Sequence, residues 1–320
     1  MEEANATDND PGLSPVEATT YDLMKPGDFR TWPISDRLSA APAMLHPSER
    51  RAISYFAAKA YQFCRIEGFF VDAGSFAGGS LVAAIEGVER VAPSLDAVGQ
   101  RFIAYDLFKA NEYMIENYPD HFSGRKPGDE FLDVFYKVIG DYRGLVEVHK
   151  GDIIHAPRLD GRIAFLFVDI LWSWKTNAFA IEELYPRLMA GKSLLVHQDF
   201  VYPYYPWLPI SMEYYSDYFE FFDYAEHSTA IYRVKKPFPK TNGLFVAGLD
   251  LDVQLALLDA AANRFTGWAK GCLTLAKVLH LWQKDRRLES LELLCRVEEQ
   301  YGSEPLVVQY LPFFKRHVSI

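Results

Sequence analysis

FFVDAGSFAGGSLVAAIEGV, residues Phe69 to Val88, is the stretch whose reading decides the fold. Phe69, Phe70 and Val71 form a short apolar run, Gly74, Gly78 and Gly79 interrupt it, and apolar residues at helical spacing follow from Leu81 to Val88. That order reads as buried strand, glycine turn and helix, the opening unit of a parallel α/β sheet. Gly74 permits a sharp turn at the strand's carboxyl end. Gly78 and Gly79 are expected to leave bare backbone open to a ligand, and Ser80 to cap the helix.

The glycine spacing discriminates among ligands. A dinucleotide fingerprint needs glycine where Phe76 stands, and a Walker loop needs a lysine that Gly79-Ser80 lacks. What remains is a nucleoside ligand without a diphosphate, or a plain tight turn in a doubly wound protein.

Outward from this unit, Phe102 to Tyr105 is a second apolar run ending at Asp106. A carboxylate at that strand end accepts hydrogen bonds from both vicinal hydroxyls of a ribose; an Asp that merely caps the strand is the alternative. Val146 to His149 reads as a short third strand with Asp152 in the turn after it. Ile163 to Val168 is unbroken and apolar, hence a central strand, and ends at Asp169. A helix from about Thr176 to Leu188 leads to a fifth strand, Ser193 to Val196, followed by His197, Gln198 and Asp199. Functional groups collect at the carboxyl ends of such strands, so Asp169 and the triplet should face one cleft. Phe221 to Val234 reads as two antiparallel strands. The helix opened by Pro47, Ser48 and Glu49 should lie on the sheet, with no residue that must touch ligand.

The segment Asp72-Ala-Gly74-Ser-Phe-Ala-Gly78-Gly79-Ser80 resembles the first motif of class I S-adenosylmethionine-dependent methyltransferases, and more narrowly is similar to the macrocin O-methyltransferase group, over about His46 to Pro237. The resemblance implies S-adenosylmethionine as cofactor, held by Asp72, Gly74, Gly78, Gly79, Ser80 and Asp106. It makes Asp152 a candidate adenine contact, with a turn-forming Asp as the alternative. Asp169 matches the group's first acid, and Asp199 with Phe200 its later acid and aromatic. Leu171, Ser173 and Gln198 depart from the group, whose carboxylates hold a divalent cation. Mg²⁺ is thus a candidate cofactor, with Asp169, Gln198 and Asp199 as oxygen ligands. The catalytic candidates are Asp169, Asp199 and His197. The histidine would be a metal-free general base, and a hydrogen-bonded core residue is its alternative.

Composition bounds these expectations. With 320 residues, 49% hydrophobic and 24% charged, the chain reads as an ordinary globular protein, and a net charge of −10 gives no basic footprint for nucleic acid or an anionic membrane. No apolar run approaches the ~20 residues of a span, and the amino terminus lacks signal-peptide features. Cys64, Cys272 and Cys295 have no metal-ligand spacing and are expected to be reduced core thiols in a cytoplasmic protein.

Four regions are expected: a disordered acidic tail over 1–20, an arm and covering helix over 21–68, the methyltransferase domain over 69–239, and a helical appendage over 240–320. Helices are expected at Leu251 to Phe265, Leu273 to Gln283 and Leu288 to Tyr301, broken at Gly267, Gly271 and Gly302. Tyr202, Tyr204, Tyr205 and Trp207 should form either a substrate lip or a packing layer, with a subunit contact, and so a homo-oligomer, favoured. The fold class is doubly wound Rossmann-like α/β, mainly parallel with an antiparallel final strand, plus C-terminal helices. The function expected is methyl transfer from S-adenosylmethionine to a small-molecule hydroxyl of a sugar or glycosylated metabolite. A noncatalytic nucleoside-binding scaffold and a related hydroxylase are the alternatives.

Overall fold

The computed structural model describes residues 20–318, so the tail expected over 1–20 lies outside the described residues except for Thr20. Seven strands form one sheet: β1 Phe69–Ala73, β2 Phe102–Asp106, β3 Val146–Lys150, β4 Ile163–Val168, β5 Leu194–His197, β6 Phe219–Ala225 and β7 Thr229–Val234. Their order is β3-β2-β1-β4-β5-β7-β6. β1 to β5 pair in parallel, and β7 runs antiparallel to both its neighbours. The architecture is α/β as the sequence predicts, with the last strand of the chain inserted inside the β6 edge.

Alternation along the central strands builds two cores. Phe70, Phe165 and Phe167 face one side, with helices α1 (Pro47–Cys64), α2 (Gly79–Glu89) and α3 (Leu132–Ile139). Val71, Leu166 and Val168 face the other, with α4 (Trp174–Phe179), α5 (Trp207–Tyr214) and the C-terminal helices. Every residue of β4 is buried, which is why its sequence shows no polar alternation.

The helix expected from Thr176 to Leu188 is three pieces. α4 starts at the cap residue Ser173, widens into a π turn over Ala180–Leu184, and tightens to a 3-10 turn over Tyr185–Arg187. Pro186 accounts for the change, because its ring displaces the carbonyl four residues back.

Beyond the sheet lie α6 (Leu251–Ala262), α7 (Gly267–Gln283), α8 (Arg287–Tyr301) and α9 (Pro305–Val318). The sequence reading lacked α9 and broke α7 at Gly271. That glycine is inside α7, where a Cβ would come within 2.6 Å of Val307 Cγ2, so it marks a close helix crossing rather than an end. The appendage docks on its own chain. Arg264 Nη2 donates to the buried Glu213 at 2.7 Å, and Tyr204 packs its ring against Tyr310, Phe313 and Phe314 of α9 at 4.8 to 5.7 Å. Trp207 is buried, with its indole N–H donating to Leu171 O at 2.6 Å. Tyr204 and Trp207 thus belong to an internal packing layer. Cys64 and Cys272 are buried, which pushes both thiols up to about 12, whereas Cys295 is exposed, contrary to expectation.

Candidate active site at the strand ends

The turn after β1 is shaped by the protein's own packing. Gly74 has φ 105°, and a Cβ there would lie 2.8 Å from Asp169 O, so the glycine lets the ends of β1 and β4 meet. A Cβ on Gly79 would strike Ala43 Cβ at 2.5 Å and Pro42 O at 2.7 Å; one on Gly78 would meet Ile139 and Phe135. The faces expected to lie open at Gly78 and Gly79 are therefore covered, by the arm and by α3. Ser80 does not cap α2 either. Gly78 is the N-cap, and Ser80 Oγ donates to Asp72 Oδ2 at 2.8 Å. Asp72 Oδ1 is buried without a hydrogen-bond partner, and burial pushes this carboxyl up to about 7.

Asp106 bridges two loops. Its Oδ2 accepts the amide of Phe76 at 2.8 Å and its Oδ1 that of Phe108 at 2.7 Å. Both phenylalanines sit at positive φ, 44° and 50°, a conformation that is strained for such side chains. Two charge-assisted hydrogen bonds and a cluster of rings hold them there: Phe76 stacks on Phe122 at 5.7 Å, and Phe108 packs on Phe135 at 5.1 Å. Each carboxylate oxygen keeps a further lone pair for another donor. Burial raises the carboxyl of Asp106, against the pull of the two amides.

At the ends of β4 and β5 the acids crowd. Asp169 is raised well above the usual carboxylate range, by burial first and then by Asp199, Glu49, Asp72 and Asp106. Burial and Glu49 push Asp199 up to about 7 against hydrogen bonds from Ser228 and the exposed Trp172. Asp199 also has φ 60°. Glu49, at the start of α1, is fully buried. Its Oε1 accepts from Thr229 at 2.8 Å, Gln198 Nε2 at 3.3 Å and Ser228 at 3.3 Å, and its Oε2 accepts the amide of His46 at 2.8 Å. Burial raises it as well. Asp106, Asp169 and Asp199 keep some surface open to solvent, while Asp72 and Glu49 lie beneath.

Gln198 is spoken for: its amide nitrogen serves Glu49 and Ser228, and its oxygen accepts from Thr229. Among the described residues no group of three or more His, Cys, Asp or Glu side chains is arranged to hold a metal ion. His197 is fully buried, and burial lowers its imidazole to about 4. Its Nδ1 lies 3.2 Å from Gln198 O, and its Nε2 has no partner. Asp152 is exposed after the outermost strand, where its Oδ1 accepts the amide of Ile154 at 3.1 Å and caps a 3-10 turn. The sequence reading missed Glu49, Trp172, Ser228 and Thr229. Only Glu49 carried a signal, since His46-Pro-Ser-Glu49 is a capping box, and that signal speaks of helix entry rather than of a site.

No family model and no curated protein matches this sequence. Among solved structures the chain is similar to one described as the O-methyltransferase NovP, with 14% identity over 61% of this chain and 82% of that one, at a TM-score of 0.44. It is similar also to CalS11, a calicheamicin methyltransferase, with 16% identity over 73% and 99% of the two chains, at a TM-score of 0.41. The apo structure of CalS11, described as a TDP-rhamnose 3'-O-methyltransferase, gives 18%, 64%, 89% and 0.41. At such scores the likeness assigns no activity, and the functional reading rests on the site. No described helix is long and apolar enough to cross a membrane.

Proposed function

We propose that this protein binds S-adenosylmethionine at the ends of β1 and β2 and catalyses methyl transfer to a hydroxyl of a small molecule, a sugar or glycosylated metabolite being the class favoured. The observation that carries the reading is the set of five carboxylates, Glu49, Asp72, Asp106, Asp169 and Asp199, gathered at the strand ends. Burial raises all five, and repulsion from neighbouring carboxylates adds to it at Asp72, Asp169 and Asp199. A ligand bearing positive charge would relieve that repulsion, and Asp72 Oδ1 is a buried acceptor with no partner of its own. The residues fit this cofactor through Asp72 and the spare lone pairs of Asp106.

When bound, the cofactor supplies an electrophilic methyl group on a sulfonium. An alcohol needs its proton removed for attack, and Asp169 or Asp199, each raised by burial and partly open to solvent, is suited to accept it. His197 is held neutral but enclosed, so the two carboxylates are the preferred base. Gln198, committed to Glu49 and Thr229, is not free to complete a cation site, and the reading needs no Mg²⁺.

The covered faces of Gly78 and Gly79, with Asp106 already holding two amides, favour a second reading: a noncatalytic scaffold on the same fold. Calorimetric titration separates them. Heat with S-adenosylmethionine exceeding that with neutral S-adenosylhomocysteine supports the first reading; no heat from either at millimolar concentration removes it. Methyl transfer to any acceptor, lost in Asp169→Asn or Asp199→Asn while cofactor binding survives, excludes the scaffold.

A further inference from the structure

An open cavity of about 270 Å³ lies between the β6–β7 hairpin, the amino end of α1 and the C-terminal helices, lined by Glu226, His227, His46, Trp268, Pro305 and Leu306. We propose that it is the acceptor subsite and that it takes an uncharged aromatic ring. Calling it an acceptor subsite rests on the methyl-transfer reading; the binding itself does not.

Position is the first argument. Across the sheet the strand ends carry Asp106 on β2, Asp72 on β1, Asp169 just after β4 and Asp199 just after β5; the next strand is β7, entered from the hairpin that carries Glu226 and His227. Neighbouring strands lie about 5 Å apart, so Asp169 and Asp199 stand between the glycine turn after β1 on one side and the cavity on the other. That is the order a transfer reaction requires.

The cavity is also wired to the acids. The amide of its wall residue His46 donates to Glu49, and Ser228, next to His227, donates to Glu49 as well. Ser48 Oγ ties α1 to the hairpin through Glu226 O at 3.3 Å. His227 is held at φ 95°, strained for a residue with a Cβ, in a turn that places its ring parallel to that of His46, with 6.3 Å between centroids.

The lining selects the ligand. Trp268, Pro305 and Leu306 are apolar, the two imidazoles are flat, and the lining includes neither Lys nor Arg. The lining offers a phosphate or carboxylate no guanidinium or ammonium partner, so a nucleoside diphosphate sugar is a poor occupant. Flat apolar walls instead suit an aryl group, such as the aglycone of a glycoside. On this reading the appendage contributes Trp268, Pro305 and Leu306 to acceptor choice.

The test is titration of the ¹⁵N-labelled full chain, without cofactor, by phenyl β-D-glucopyranoside, following the Trp268 indole N–H assigned with Trp268→Phe. We expect a saturable shift, weakened at least several-fold in Leu306→Phe, which narrows the cavity, and in His46→Ala, which removes one flat wall. No shift at tens of millimolar overturns the site. An equal shift with methyl β-D-glucopyranoside overturns the aromatic assignment, and tighter binding of phenyl phosphate overturns the uncharged one. A shift in a protein that gives no heat with S-adenosylmethionine keeps the cavity and removes methyl transfer, while heat without a shift does the reverse.

Discussion

Gln198 donates its side-chain amide to Glu49 at 3.3 Å, joining the end of the fifth strand to the start of a helix that precedes the first. Both side chains are buried, and Thr229 hydrogen-bonds each of them. Glu49→Ala therefore strips an acceptor from Thr229, Ser228, Gln198 and the amide of His46 together. We expect a loss of roughly 2–4 kcal/mol by chemical denaturation, since each unsatisfied buried donor costs about 1–3 kcal/mol. Glu49→Gln keeps an acceptor oxygen and should lose less. An Ala variant as stable as the parent would show that water satisfies these donors and that the network is not structural.

Asp199 gives a pH dependence whose sign follows from burial. Its carboxyl is raised from 3.8 to about 7, so the folded state holds a proton that the unfolded chain has released. That contribution to stability is complete below about pH 4 and is lost as pH rises through about 7. Asp72, raised to about 7, acts the same way, while His197, lowered from 6.5 to about 4, contributes above pH 6.5 and loses that as pH falls. Asp199→Asn should thus stabilise the protein at pH 8 by roughly 2–4 kcal/mol, given about 1.4 kcal/mol per unit, and by little at pH 4. Thermal unfolding at both values checks this; equal effects at the two pH values would deny that Asp199 is raised.

The central parallel strands were legible because they are short apolar runs ending near a polar residue, as in Ile163 to Val168 before Asp169. Of the candidate site, position at a strand end brought out Asp106, Asp169 and Asp199, while Asp72 came from the motif resemblance. Glu49 was hidden because its capping box explains it locally, and its partners Gln198 and Thr229 come from strands far along the chain. The glycines misled for the converse reason. Gly79 looks the same in sequence whether a ligand or Pro42 and Ala43 lie against it. Gly271 shows the same ambiguity, since a glycine that admits a crossing helix and one that ends a helix are written identically.

Tyr204 decides what holds the last helix. Its ring lies between Phe313, 4.8 Å away and edge-on, and Phe314, at 5.7 Å and stacked. Truncating such a ring costs about 3–5 kcal/mol when it is fully buried, and somewhat less here because Tyr204 is part-exposed. Tyr204→Ala should loosen α9 locally, so limited proteolysis should cut within 305–318 much faster than in the parent. If the variant instead lowers the mass of an oligomer in light scattering and leaves the cleavage rate unchanged, the ring serves a subunit contact.

Asp106 has two tasks, and they must be separated. Its carboxylate already holds the amides of Phe76 and Phe108 in their left-handed conformations, so Asp106→Ala should destabilise the fold itself by roughly 2–5 kcal/mol from two unsatisfied amides, less whatever strain is released. Weaker cofactor binding by that variant alone is uninformative, because the loops it releases also form the ligand's surroundings. A cycle resolves the matter. If the spare lone pairs of Asp106 take the ribose hydroxyls, 2'-deoxy S-adenosylhomocysteine should bind the parent about 1.5–3 kcal/mol more weakly than S-adenosylhomocysteine, the range for hydrogen bonds to a charged group. In Asp106→Asn, which keeps one acceptor oxygen for the loops but has lost the charge, that penalty should shrink by more than half. An undiminished penalty would place the ribose elsewhere and leave Asp106 as the brace of two strained turns.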